Sequence, residues 1–176
     1  MKSDYYNAIV EEMEQFAKEE NTLFIGQQCE SEDFYGTLKN IDKTKRVEMP
    51  VAEEMQMGLS MGLALEGYLP ISVYQRMDFL PRACDQLVNH LDLIKESSRG
   101  MYNPKIIIRT TVGTNHPFDV GLQHNKDLTE GFRVLLRNIP VYAVKTVEDV
   151  REAYKAAREK EGSIIIVEYQ ELYNVD

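Results

Sequence analysis

Short apolar runs alternate along this chain with segments of helical period, and no other feature constrains the fold as much. Leu23, Phe24 and Ile25 form one run, ended by Gly26, and residues 47–49, 70–74, 105–110, 141–144 and 163–168 form others. Between them lie helical patterns. Ser3 can cap a helix over 3–20, in which Tyr6, Ile9, Val10, Met13, Phe16 and Ala17 share one face. Residues 52–65 read as a helix with small residues along one side, closed by Gly67, and 81–95 as a helix with Pro81 in its first turn. Further helices are expected over 127–137 and 146–160. The second is capped by Thr146, with Glu148 and Asp149 where the helix dipole favours acids. Residues 30–45 read as a polar loop, and 111–125 as a loop bearing glycine and histidine. Strands interleaved with amphipathic helices imply a parallel sheet covered on both faces. The expectation is one α/β domain over 1–176, three αβα layers about a mostly parallel, roughly six-stranded sheet. Ligands of such sheets bind beyond the carboxyl ends of the strands, which directs attention to the loops after Met49, Tyr74 and Thr110.

Charge narrows the function. A formal net charge of −9 over 176 residues argues against nucleic acid or an anionic membrane as partner, because both require a basic face. The apolar runs are too short to span a bilayer. Cys29 and Cys84 are the only cysteines and lie far apart, so they build neither a disulfide framework nor a metal site. With a start unlike a signal peptide, a reducing, cytoplasmic location is expected.

From Pro50 the chain carries Glu53, Gly58, Leu59 and Gly62 in a spacing that resembles the pyrimidine-binding domain of thiamine-diphosphate enzymes. Leu65 departs from that pattern, standing where the family has glutamine. The segment Asp78-Phe79 followed by Asp85-Gln86-Leu87-Val88-Asn89 resembles the aromatic loop and next helix of one branch, the beta subunit of the decarboxylating component of 2-oxo acid dehydrogenases, within the transketolase-like family. Ile106-Ile107-Ile108-Arg109, Gln123-His124 and the stretch 168–173 follow in the same order, so the likeness covers about residues 23–173.

The resemblance implies thiamine diphosphate as cofactor. Its chemistry starts with loss of the thiazolium C2 proton to the cofactor's own aminopyrimidine, and a carboxyl hydrogen-bonded to the far ring nitrogen promotes the required imino tautomer. The resemblance gives that role to Glu53, and the spacing to Gly58 selects it over Glu54. At a helix start the dipole favours the ionised carboxylate by about 1 kcal/mol, an effect that burial beneath a cofactor and a second chain outweighs. Without the family pattern, Glu53 would read as plain dipole compensation. Met57, Gly58 and Phe79 are further cofactor-binding candidates. Phe79 offers an aromatic face to the ring, against the alternative of a core phenylalanine. Gly58 and Gly62 lie one helical turn apart and imply close backbone approach, either to the sheet or to another subunit. His124 is placed near the substrate for hydrogen bonding or proton transfer, against the alternative of a solvated loop histidine. Arg109, as a receptor for a substrate carboxylate or as one half of a structural ion pair, and His116 are reserve substrate candidates, and His90 reads as structural.

The Gly-Asp-Gly motif through which these enzymes hold a metal and the diphosphate does not occur in the sequence. The expectation is therefore a separate, alpha-like partner chain that binds the diphosphate and Mg²⁺, with an active site between chains and a heterotetramer of two such pairs. The family's C-terminal domain is likewise not expected within 1–176. Among activities, oxidative handling of a 2-oxo acid, simple decarboxylation and transketolase-like carboligation stay open, as does a non-catalytic regulatory or assembly domain. A generic nucleotide binder is disfavoured, because no Gly-rich turn follows residues 23–25.

Overall fold

The structure, a computed structural model, describes residues 1–115 and 120–175. Six strands, β1 (Thr22–Gly26), β2 (Arg46–Glu48), β3 (Leu69–Tyr74), β4 (Ile107–Val112), β5 (Val141–Ala143) and β6 (Ile164–Tyr169), form one sheet in the order β2-β1-β3-β4-β6-β5. Every neighbouring pair is parallel. This is the expected α/β sandwich. The central runs are apolar on both sides because both faces are covered: Ile164 and Ile166 point into one core, Ile165 and Val167 into the other.

On the first face, α1 (Asp4–Ala17) and α5 (Val147–Glu159) pack on Phe24, Ile71, Val73 and Ile107. Both helices start where the sequence signals. The Ser3 hydroxyl accepts the Tyr6 N–H at 3.1 Å, and Thr146 and Asp149 form a reciprocal capping box. On the opposite face lie α2 (Glu53–Leu65), a 3₁₀ turn (Met77–Ala83), a π-helical turn (Asp85–Leu91), α3 (Ile94–Ser97) and α4 (Thr129–Leu135).

Three segments differ from expectation, each for a local reason. The single helix expected over 81–95 is broken into 3₁₀, π and α pieces. Pro81 has no N–H to give and sits inside the 3₁₀ turn, and the Asp92 N–H reaches back five residues to the Leu87 carbonyl at 2.9 Å. α4 ends at Leu135 rather than 137, because the Asp92 carboxylate takes the N–H groups of Arg137, Asn138 and Ile139 at 2.8–2.9 Å. The stretch 30–45 is no solvated loop: Phe34 and Leu38 are fully buried in the first core. Among the described residues no helix is long and apolar enough to cross a membrane.

Candidate active site

The chain leaves β1 toward the first face, where Phe34 and Leu38 pack, and leaves β3 toward the second, where Met77 and Leu80 pack. Adjacent parallel strands whose connections diverge open a crevice at their carboxyl ends. Gly26 sets its floor. Its φ is +157°, and a Cβ there would lie 2.3 Å from the Val73 carbonyl oxygen, so only glycine lets β1 end this close to β3.

α2 begins at the crevice. Its second turn is pinned to the sheet by Gln56, whose side-chain amide lies 2.9 Å from the Val73 carbonyl, 3.3 Å from that of Ile25 and 3.1 Å from the Ser72 hydroxyl. The Ser60 hydroxyl, one turn on, meets Ser72 at 3.0 Å. This clamp turns the preceding Glu53 inward, leaving it 3 % exposed, while Glu54 stays at the surface. The Glu53 carboxylate accepts from Arg82 Nε at 2.8 Å and from Gln27 Nε2 at 3.4 Å. Gln27, Val51, Glu53, Phe79 and Arg82 line a cavity of about 290 Å³ at the crevice. A larger open groove of about 1010 Å³ continues along α2 past Glu54, Met55, Gly58 and Leu59.

The structure places the remaining sequence candidates as follows. Phe79 is half-buried and lines the smaller cavity. The His124 ring stands edge-on to it, with centroids 5.5 Å apart. His124 Nδ1 lies 3.1 Å from the Val120 carbonyl. Because that oxygen only accepts, the bond requires a proton on Nδ1, which in the neutral ring leaves Nε2 as the acceptor. The loop is seated by the Lys126 N–H on Asp78 at 3.2 Å and by Gly113, where a Cβ would lie 2.0 Å from the His124 carbonyl oxygen. Gly58 lines the larger groove, and a Cβ there would meet nothing closer than Gln86 at 3.8 Å; at Gly62 it would meet nothing within 4 Å. The close approach expected of these glycines is therefore not to their own sheet, and they leave an open notch beside exposed Met55 and Leu59.

Two candidates are corrected. Met57 faces the sheet, fully buried among Tyr74, Met77 and Leu80, and lines neither cavity. Helical period puts it with Gln56 on the inner side, away from Gly58. Arg109 faces neither cavity and forms the structural ion pair that was its alternative. It lies within β4, fully buried, with Nε and Nη2 on Glu168 at 2.6 and 2.8 Å and Nη2 on Thr37 at 3.0 Å. Burial opposes its charge, but the Glu168 carboxylate prevails and holds the guanidinium firmly protonated. His116 lies outside the described residues. His90 is exposed on the π-helical turn near Asp85.

Arg82, Gln27 and Gln56 were not expected at the site. Gln56 left one signal, a pair of polar residues with Ser60 at helical spacing on a face turned to the sheet. Arg82 left none, because its proximity to Glu53 arises only when the 3₁₀ turn folds over α2.

Together these groups offer a buried carboxyl, a side-chain amide and an aromatic face around a slot open to one side, a set suited to a flat heteroaromatic ring that donates a hydrogen bond. Among the described residues, no cluster of three or more His, Cys, Asp or Glu is arranged to hold a metal.

A parallel α/β sheet with a crevice at its switch point belongs to a ligand-binding class of folds, and comparison with known proteins gives it a family. The profile of the transketolase pyrimidine binding domain matches residues 2–175, so the chain belongs to that family. The chain is 28% identical over 141 residues to the pyruvate dehydrogenase E1 component subunit beta of Gracilaria tenuistipitata var. liui, covering 80% of this chain and 41% of that protein. To the subunit of the same name from Cyanidium caldarium it is 25% identical over 170 residues, covering 92% and 50%. It thus spans half or less of the length of these relatives. Among solved structures, a split gene transketolase, an inactive beta4 tetramer, superposes with a TM-score of 0.66 at 20% identity, covering 94% of this chain and 49% of that one. That likeness speaks for the fold.

Proposed function

We propose that this chain is the pyrimidine-binding subunit of a split thiamine-diphosphate-dependent enzyme that acts on a 2-oxo acid. The observation that carries this reading is the Glu53 carboxyl, 3 % exposed at the floor of the β1–β3 crevice. Thiamine diphosphate, when bound, supplies the nucleophilic carbon and the electron sink for the substrate carbonyl.

The chain's residues then divide the work. Glu53 holds or releases a proton at a ring nitrogen from a dry carboxyl. Gln56 and Ser60 position it by fixing α2. Phe79 and Val51 offer apolar walls that keep water from the ring. His124, with Nε2 unprotonated in its neutral form and its ring set against Phe79, is the candidate for moving a proton at the substrate. The diphosphate and its Mg²⁺ belong to a separate chain, which closes the open groove along α2. Two such pairs make the assembly. Gly58, Gly62, Met55 and Leu59, an apolar notch open to solvent in the lone chain, support closure by another polypeptide.

Calorimetric titration of thiamine diphosphate with Mg²⁺ tests the reading. The chain reconstituted with its diphosphate-binding partner should bind, and the lone chain should not. Tight binding by the lone chain would remove the shared site. Turnover of a panel of 2-oxo acids by the pair, with and without an artificial electron acceptor, distinguishes oxidation from simple decarboxylation and carboligation.

A further inference from the structure

Among the described residues Arg82 is the one cation paired with Glu53, and its placement is unlike that of a structural partner. The carboxylate is 3 % exposed whereas the arginine side chain is 64 % exposed, so the pair joins a buried anion to a cation that is largely in solvent. Among the described residues the guanidinium hydrogen-bonds to Glu53 alone. Val51, Glu53 and Arg82 line both the small cavity at Phe79 and the long groove along α2, so the arginine stands at the boundary between them. Exposed Glu54 lines the same groove and offers a second carboxylate on its wall.

Resting on the reading of Glu53 given above, we propose that Arg82 is a displaceable counter-ion that competes with the cofactor's aminopyrimidine for Glu53. A cation hydrogen-bonded to a carboxylate opposes any transfer of a proton onto it, and Glu53 must share a proton with the ring. A ring entering along the groove meets the guanidinium first. In the unliganded chain Arg82 keeps a buried charge paired, since an unpaired one would be costly. When the ring arrives Arg82 swings toward the groove wall. The strength of the pair is thereby subtracted from the affinity for cofactor, as for any ligand whose binding state must first be released.

The test is titration of thiamine diphosphate with Mg²⁺ into the partner-reconstituted chain, together with thermal unfolding of the unliganded forms. Arg82→Gln should bind about fivefold tighter, in the range expected for losing one half-exposed ion pair, while its unliganded form melts lower. Arg82→Lys, which can still pair as a point charge, should fall between. In Glu53→Gln, which should itself bind more weakly, the further change Arg82→Gln should no longer tighten binding. Equal or weaker binding by Arg82→Gln, with Glu53→Gln still impaired, would overturn the competition alone. Unimpaired binding by Glu53→Gln, or no binding by any form, would overturn the cofactor reading and the competition together.

Discussion

Replacing Glu168 by Leu should be among the most damaging single changes in the first core, and the structure sets its size. The two carboxylate oxygens accept Arg109 Nε at 2.6 Å, Arg109 Nη2 at 2.8 Å, the Tyr154 hydroxyl at 2.6 Å and the Tyr173 hydroxyl. Glu168, Arg109 and Tyr154 are all fully buried. Removing the anion leaves a guanidinium with only Thr37 as partner and two hydroxyls without acceptors. Breaking a buried pair from one side costs about 3–5 kcal/mol, against a total stability of about 5–15 kcal/mol for a domain. Arg109→Met should fall near the lower end, because the stranded carboxylate keeps two tyrosine donors. The double variant Arg109→Met/Glu168→Leu removes both charges and should be more stable than Glu168→Leu alone, although it carries the larger change. Urea unfolding followed by far-UV circular dichroism gives the three values. Additive losses, or a cost for Glu168→Leu below about 1 kcal/mol, an exposed pair's range, would refute the account of this network and reopen a ligand role for Arg109.

Other expectations follow from the same geometry. Gln56→Ala removes a buried donor from the Ile25 and Val73 carbonyls and should cost about 1–3 kcal/mol by urea unfolding, with cofactor binding lost along with the clamp on α2. Gly113→Ala must push the His124 carbonyl aside, since its Cβ would lie 2.0 Å away; limited proteolysis should then cut at residues 120–126 faster than in the parent. Asp149 is held below the usual carboxylate range, first by the Lys145 N–H and then, against some burial, by Thr146. Its folded value is the lower one, so its contribution is present above the unfolded value and fades as the pH falls through the folded one. Asp149→Ala should therefore lose about 1 kcal/mol at neutral pH, and its gap from the parent should close as the pH falls below about 4.

Much of the architecture was legible because period and punctuation agree. Short apolar runs such as Leu23–Ile25, and caps such as Ser3 and Thr146, act locally. The misreadings arose where distant residues decide. Nothing near Pro81 announces that the helix after it breaks into 3₁₀ and π turns, and nothing near Leu135 reveals that Asp92 claims the N–H groups of Arg137, Asn138 and Ile139. Phe34 and Leu38 looked like residues of a polar loop because their neighbours are polar, yet they complete the core beside Arg109. At the site, spacing singled out Glu53 and separated it from Glu54, and the aromatic loop pointed to Phe79. Met57 was misjudged because sequence adjacency to Gly58 says nothing of which side of the helix it takes. Arg82 and Gln27 reach Glu53 from other elements and were silent until those elements came together.

Exchange of the C2 proton of thiamine diphosphate bound to the reconstituted pair, followed by acid quench from deuterated buffer and proton NMR, reads out the role of the Glu53 carboxyl without any substrate. Glu53→Gln keeps the shape and removes the acid, so exchange should slow by about 10²–10⁴-fold, the span of a positioned general acid or base. Exchange at the parental rate in that variant, with cofactor bound, would contradict the assignment of Glu53 to the aminopyrimidine.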